Sequence, residues 1–192
     1  MAQQSIDTRL IEKTLAGDNE AFGQLVLKYQ DRLYGTLYHM LGSVHDARDI
    51  AQEAFLSAYE KLGTFRQDAS FYSWLFRIAY NAAVSSRRKS KRVTQSVDNQ
   101  REQNGYDPTD EHPDLDPSHR MQSAEDQEHV RNALNELAPE YRDVLVLKEL
   151  EGLRYDEIAD ILDCPIGTVR SRIHRARQEL RDKLTKVVER EQ

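Results

Sequence analysis

Apolar residues recur along this chain at intervals of three and four, and no segment shows the two-residue alternation of a half-buried strand. The pattern predicts an all-α protein. Before residue 95 it resolves four helices, punctuated by Gly17-Asp18, Gly42-Ser43 and Gly63-Thr64. Asp18 and Ser43 are placed to cap the helices that follow them through their side-chain oxygens. The second helix is expected to bury Phe22, Leu25, Val26, Tyr29, Leu33, Leu37 and Leu41. The third is expected to bury Ala47, Ile50, Ala51, Ala54, Phe55, Ala58 and Leu62. The fourth begins near Ser70, keeps Phe71, Trp74, Leu75, Ile78 and Ala82 on one side, and ends in a basic run. Towards the other end, Val130 to Leu137, Glu140 to Leu150 and a final pair of helices make a second four-helix unit.

That final pair lies between Tyr155 and Arg177 and has the sequence form of a helix-turn-helix. Pro165 and Gly167 are read as breaking the first helix, and Thr168 as opening and capping the second through its hydroxyl. Val169, Ile173, Ala176 and Leu180 form the buried stripe. At about 100° per residue, Ser171, His174, Arg175 and Gln178 then face outward, flanked by Arg170 and Arg177, as suits a recognition helix offering donors to base edges and phosphates.

A formal charge of −6 sits oddly with a DNA reader until it is divided along the chain. Residues 98 to 128 hold ten acidic and two basic residues, a net of −8, so the remainder carries about +2. This acidic stretch also holds Pro108, Pro113 and Pro117 and has no apolar period, which reads as a flexible linker able to span roughly 100 Å. The domain boundaries are accordingly expected at 1–95, 96–126 for the linker, and 127–192. The positive charge gathers at Arg87-Arg88-Lys89-Ser90-Lys91-Arg92 and again after Arg170.

A second constellation precedes the first basic run. Phe65, Phe71, Tyr72, Trp74, Phe76 and Tyr80 are six of the fifteen aromatic residues. Aromatic faces stack on unpaired bases and clustered cations follow a phosphate backbone, so the two together suit a single-strand binding surface. Phe71, Trp74, Leu75 and Ile78 fall at core spacing and read as packing, which leaves Phe65, Tyr72, Phe76 and Tyr80 as the exposed candidates. The basic run alone is also compatible with a solvated helix end.

Several classes lack support. There is no Gly-x-x-x-x-Gly-Lys, His-Glu-x-x-His or Gly-x-Ser-x-Gly motif, so an enzyme is not expected. Cys164 is the one cysteine and gives neither a disulfide framework nor a cysteine zinc site. His112 and His119 read as solvated linker residues rather than metal ligands, and no cofactor is expected. No apolar run is long enough for a membrane span, and the first residues lack a signal-peptide layout, so a cytoplasmic protein is expected.

Three stretches together carry a family resemblance. They are Asp46-Ala-Arg-Asp-Ile-Ala-Gln-Glu-Ala-Phe55; Phe65-Arg-Gln-Asp-Ala-Ser-Phe-Tyr-Ser-Trp-Leu-Phe-Arg-Ile-Ala-Tyr80; and Tyr155-Asp-Glu-Ile-Ala159 followed by Cys164-Pro-Ile-Gly-Thr-Val-Arg-Ser-Arg-Ile-His-Arg-Ala-Arg177. With them the chain resembles the bacterial extracytoplasmic function (ECF) sigma factors. The resemblance implies that Asp46, Asp49, Gln52, Glu53 and Phe55 dock on the clamp helices of the RNA polymerase largest subunit. It places Phe65, Arg66, Asp68, Ser70, Phe71, Trp74 and Asn81 at the melted minus-ten element, with Arg87, Arg88, Lys91 and Arg92 on promoter phosphates. It places Thr168, Arg170, Ser171, His174, Arg175 and Gln178 at the minus-thirty-five element. The polymerase flap and an anti-sigma factor are further implied partners. Arg154, where a Ser or Thr cap is common, Gln67, where a glycine is common, and His174, at a variable recognition position, depart from the pattern. The other reading of the helix-turn-helix, a stand-alone transcriptional regulator, leaves the aromatic and basic segment without a role.

Overall fold

A computed structural model describes residues 2–66, 69–94 and 128–190, with side chains described for 6–66, 69–88 and 128–186. The described residues are helical, contain no strand, and fall into two compact units, as the periodicity predicts.

The first unit comprises α1 (Ala2–Leu15), α2 (Asn19–Leu41), α3 (Val44–Lys61), a 3-10 turn (Leu62–Thr64) and α4 (Phe71–Thr94). Asp18 caps α2 by accepting from the Glu20 and Ala21 amides at 3.1 and 3.2 Å. Ser43 caps α3 by accepting from the Asp46 amide at 3.2 Å. Between these helices Gly42 adopts φ 68° and its N–H returns to the Tyr38 carbonyl, a left-handed closure that a glycine makes without steric cost.

α2 packs on α1 and α3, and α3 on α4. Leu25, Leu33, Leu37 and Met40 of α2 meet Ile50, Ala54 and Ala58 of α3 and Leu75, Phe76 and Ala79 of α4 in one core. Each large side chain fully buried there contributes about 1.5–3 kcal/mol. Val26, Leu41 and Ala82, expected inside, are half-buried, and Ala83 rather than Ala82 completes the inner face of α4.

The second unit contains α5 (residues 128–135), α6 (Pro139–Leu145) continuing as a π turn (Val146–Leu150), α7 (Tyr155–Leu162) and α8 (Ile166–Arg190). The π turn inserts one extra residue into what the periodicity reads as a single helix, and the Glu151 N–H reaches back to the Val146 carbonyl. Val144, Leu147, Ile158, Val169, Ile173 and Ala176 are sealed in its core, whereas Leu180 is only half-buried.

Candidate nucleic-acid interface

The turn between α7 and α8 is built differently from the sequence expectation. Asp163 adopts φ 49°, and the Cys164 N–H donates to the Ala159 carbonyl at 3.1 Å. This is the six-to-one closure of a left-handed helix end, so Asp163 rather than Pro165 and Gly167 terminates α7. α8 opens at Ile166, with the Thr168 and Val169 amides donating to the Pro165 carbonyl at 2.8 and 3.2 Å. Thr168 therefore lies inside the first turn and is not the cap. Pro165 stands just before the helix, and its carbonyl takes the first bonds of α8.

Arg154 precedes α7 without a capping side chain of its own. Glu157 supplies the missing half, accepting from the Arg154 amide at 2.8 Å while also pairing with its guanidinium at 3.5 Å. That is the acidic arm of a capping box, and it offsets the departure read at Arg154.

Along α8 the buried stripe turns Arg170, Ser171, His174, Arg175 and Gln178 to solvent. The Ser171 hydroxyl donates to the Thr168 carbonyl at 3.0 Å and keeps acceptor capacity outward. Among the described residues neither Arg170 nor Arg175 has an ion pair, so both guanidinium groups remain available for bidentate contacts with base edges. Arg177 is different: its Nε and one terminal nitrogen donate to Oε1 of Glu149 at 3.0 and 2.6 Å. The Glu149 partnership was not legible because the π turn sets where that carboxylate points.

In the first unit the aromatic expectation is partly overturned. Tyr72 and Phe76, read as exposed, are 3% and 0% exposed, and Phe71 is 2% exposed. α4 is covered along two adjacent columns rather than one, so both the 71, 75, 79 and the 72, 76, 83 rows are lost to the core. Phe71 consequently supports the surface from beneath. Phe65 and Trp74 stay partly exposed, with ring centroids 5.2 Å apart, and Phe65 meets Phe71 edge-on at 6.0 Å. Arg66 and Asn81 are exposed and Tyr80 is half-buried; Asp68 and Gln67 lie outside the described residues.

Ser70 also has a structural task, since its hydroxyl accepts from the Ser73 amide at 3.0 Å and caps α4. Arg87 donates to the Met40 carbonyl at 2.6 Å, closing the end of α2, so at least one of its terminal nitrogens is spent inside the unit rather than on phosphate. Arg88 is exposed, whereas the side chains of Lys91 and Arg92 lie outside the described residues.

A third surface lies between α2 and α3. Asp46, Asp49, Gln52 and Glu53 are exposed, and Asp49 pairs with His45 at 3.1 Å. Phe55 is only 8% exposed and belongs to the floor of an adjoining groove, with Phe22, Val26, Tyr34, Gln52 and Leu56 around it. Leu56 is 61% exposed, a large apolar side chain left in water one turn beyond Gln52. It falls off the buried stripe of α3, which is why the periodicity passed over it.

Among the described residues no group of histidine, cysteine, aspartate and glutamate is arranged to hold a metal, and no helix is long and apolar enough to cross a membrane.

One unit thus presents α8 with Arg170 and Arg175 exposed and without an ion pair among the described residues, and the other presents the partly exposed Phe65–Trp74 pair. Family comparison agrees in both units: the model for sigma-70 region 2 matches residues 25–93, and that for sigma-70 region 4 matches residues 127–180. The chain is 38% identical over 182 residues to the RNA polymerase sigma-H factor of Pseudomonas aeruginosa, covering 94% of each protein. It is 39% identical over 186 residues to the ECF RNA polymerase sigma-E factor of Haemophilus influenzae, covering 96% of this chain and 98% of that one.

Among solved structures it is similar to the sigma factor RpoE in complex with the anti-sigma factor NepR from Bartonella quintana. That match has a TM-score of 0.71 and 27% identity over 85% of this chain and 96% of the other. It is also similar to CnrH in complex with the cytosolic domain of CnrY, with a TM-score of 0.65 and 26% identity over 94% of this chain and 98% of the other. The chain belongs to the ECF sigma factors of the sigma-70 family. A stand-alone helix-turn-helix regulator is not favoured, because two sigma regions are matched in separate segments.

Proposed function

We propose that the protein is an alternative sigma factor that joins core RNA polymerase, directs it to particular promoters and helps to open them, acting in the cytoplasm and without chemistry of its own. The observation that carries this reading is the pairing of the exposed Arg170–Gln178 face of α8 with the Phe65–Trp74 platform on a separate unit. The first supplies donors for the minus-thirty-five element in the major groove. The second supplies stacking area for bases of the melted minus-ten element, with exposed Arg66 next to Phe65 in the chain and exposed Asn81 and Arg88 about two and four turns beyond Trp74 along α4.

The boundaries that go with this reading are 1–95 for the polymerase-binding and melting domain, 96–126 for the acidic linker and 127–192 for the upstream reader. Two modest interfaces on one chain reinforce each other through effective concentration, so neither unit needs strong promoter affinity alone.

The α2–α3 groove, with exposed Leu56 and with Asp31, Arg48 and Gln52 in its lining, suits a partner helix with an apolar stripe and mixed polar flanks, the role assigned to the polymerase clamp helices; Asp49 and Glu53 are exposed on the same helix. The flap is the corresponding partner of the second unit. Control by an anti-sigma factor is supported by relatives solved with such partners.

Co-purification with core polymerase tests the reading at its first step. The unmodified chain is expected to be retained, Asp49→Lys and Leu56→Asp to be retained weakly, and equal retention of all three would remove the groove from the account.

A further inference from the structure

The cations of α8 differ in their partners. Arg170 and Arg175 have no acidic partner among the described residues, nor has Arg181 further along. Two others are taken by acids from earlier elements: Glu149 of the π turn takes Arg177, and Glu136, just beyond α5, takes Lys183 at 2.8 Å. Arg177 lies seven residues after Arg170, hence within about 20° of it around the helix and about 10 Å further along the axis. It therefore belongs to the same face, at the distance where a recognition helix leaves the base edges and meets the flanking phosphate backbone.

Both partners of the Glu149–Arg177 pair are 51% exposed, and such a pair adds little to folding stability because water already solvates both charges. Its larger effect is on available charge. Two donors of one guanidinium are held on one carboxylate oxygen, so a cation that would otherwise neutralise a phosphate is already neutralised. Glu149 lies within the π turn, whose wider winding turns it away from the direction it would take in an uninterrupted helix.

We propose that Glu149 limits the DNA footprint of α8 by withholding Arg177 from promoter phosphate, which lowers sequence-independent affinity while leaving base reading by Arg170 and Arg175 intact. Glu149 is thus a specificity-setting residue that never touches DNA. The inference rests on the reading of α8 as the promoter-facing helix.

The test is titration of a mixed-sequence duplex with the full chain over a salt series, following fluorescence anisotropy. Freeing one cation should steepen the logarithmic salt dependence by about 0.9, equivalent to an extra loss of about 3.5-fold between roughly 50 and 200 mM salt. Glu149→Gln is expected to bind more tightly at low salt with that steeper slope, and Glu149→Gln with Arg177→Gln to return to the original slope. Glu140→Gln, which removes an exposed acid from the same region without freeing a cation, corrects for net charge. Thermal melting of each variant confirms that folding is kept.

An unchanged slope in Glu149→Gln, or an equal change in Glu140→Gln, overturns the proposal. Arg175→Ala, titrated on a duplex that carries the matched minus-thirty-five element, separates the two layers. If it weakens binding while Glu149→Gln does nothing, only the withholding role fails; if it too has no effect, the assignment of α8 fails and the proposal with it.

Discussion

The phenol of Tyr29 donates to the Asp7 carboxylate at 2.5 Å, and Lys28 holds the other oxygen of the same group. Asp7 is almost wholly buried, so α1 is fastened to α2 by a charge with two donors rather than by apolar contact alone. The ring of Tyr29 lies 5.7 Å from Phe71 and 5.5 Å from Tyr72, which makes this link the back support of the aromatic platform. Asp7→Ala leaves two donors facing a void and is expected to destabilise the first unit by about 1–3 kcal/mol. Urea unfolding followed by tryptophan fluorescence reads this directly, since Trp74 is the chain's one tryptophan.

The same cluster predicts a loss of stability in alkali. Burial, with the hydrogen bond to Asp7, raises the Tyr29 phenol above its ordinary value. For Lys28 burial works downward, but the hydrogen bonds to Asp7 and Tyr29 outweigh it and the ammonium also lies above its usual range. Both groups hold their protons more tightly folded than unfolded. Their contribution is complete below about pH 10 and is lost as pH rises through the folded values. Tyr29→Phe, which keeps the ring but not the titrating hydroxyl, should show a shallower decline as pH rises above about 10; an identical decline would contradict the assignment.

Asp163 occupies a left-handed conformation, φ 49°, at the end of α7. Aspartate tolerates this region better than most residues, yet glycine does so without a Cβ penalty. Asp163→Gly is expected to stabilise the second unit by a few tenths to about 1 kcal/mol, and Asp163→Val to destabilise it by about 1–2 kcal/mol. The order of the three melting temperatures checks this, and valine equal to aspartate would mean that the turn re-forms elsewhere.

Arg175 reaches solvent from the middle of the reading face with no acidic partner among the described residues. Its replacement by alanine should cost about 1–3 kcal/mol at a matched minus-thirty-five element and much less at a mismatched one. Start-site-specific transcription from paired templates measures the difference. An equal loss on both templates would reduce Arg175 to a phosphate contact.

The helices, their order and the helix-turn-helix were legible because burial repeats at 3.6 residues and because Asp18, Gly42 and Ser43 carry cap chemistry in their own side chains or backbone freedom. What the periodicity could not resolve were choices settled by tertiary neighbours. Tyr72 and Phe76 went inside because α4 is covered on two columns, which no single helix's spacing discloses. Arg87 also closes the end of α2 from 47 residues away, a task no local pattern signals, whereas the Ser70 cap on α4 is local, as at Asp18 and Ser43. Thr168 is not the cap, because the first bonds of α8 go to the Pro165 carbonyl. The Glu149–Arg177 pair joins residues 28 apart through a π turn, and nothing local in either segment signals it.

The most direct test of the central claim is transcription reconstituted from core RNA polymerase, this chain and a genomic promoter library, with start sites mapped by sequencing. A discrete set of starts is expected that require both the chain and core enzyme, share an upstream and a minus-ten motif, and disappear when the platform is removed by Phe65→Ala with Trp74→Ala. Tight and specific promoter binding by the chain alone, with no new starts when core enzyme is added, would contradict it.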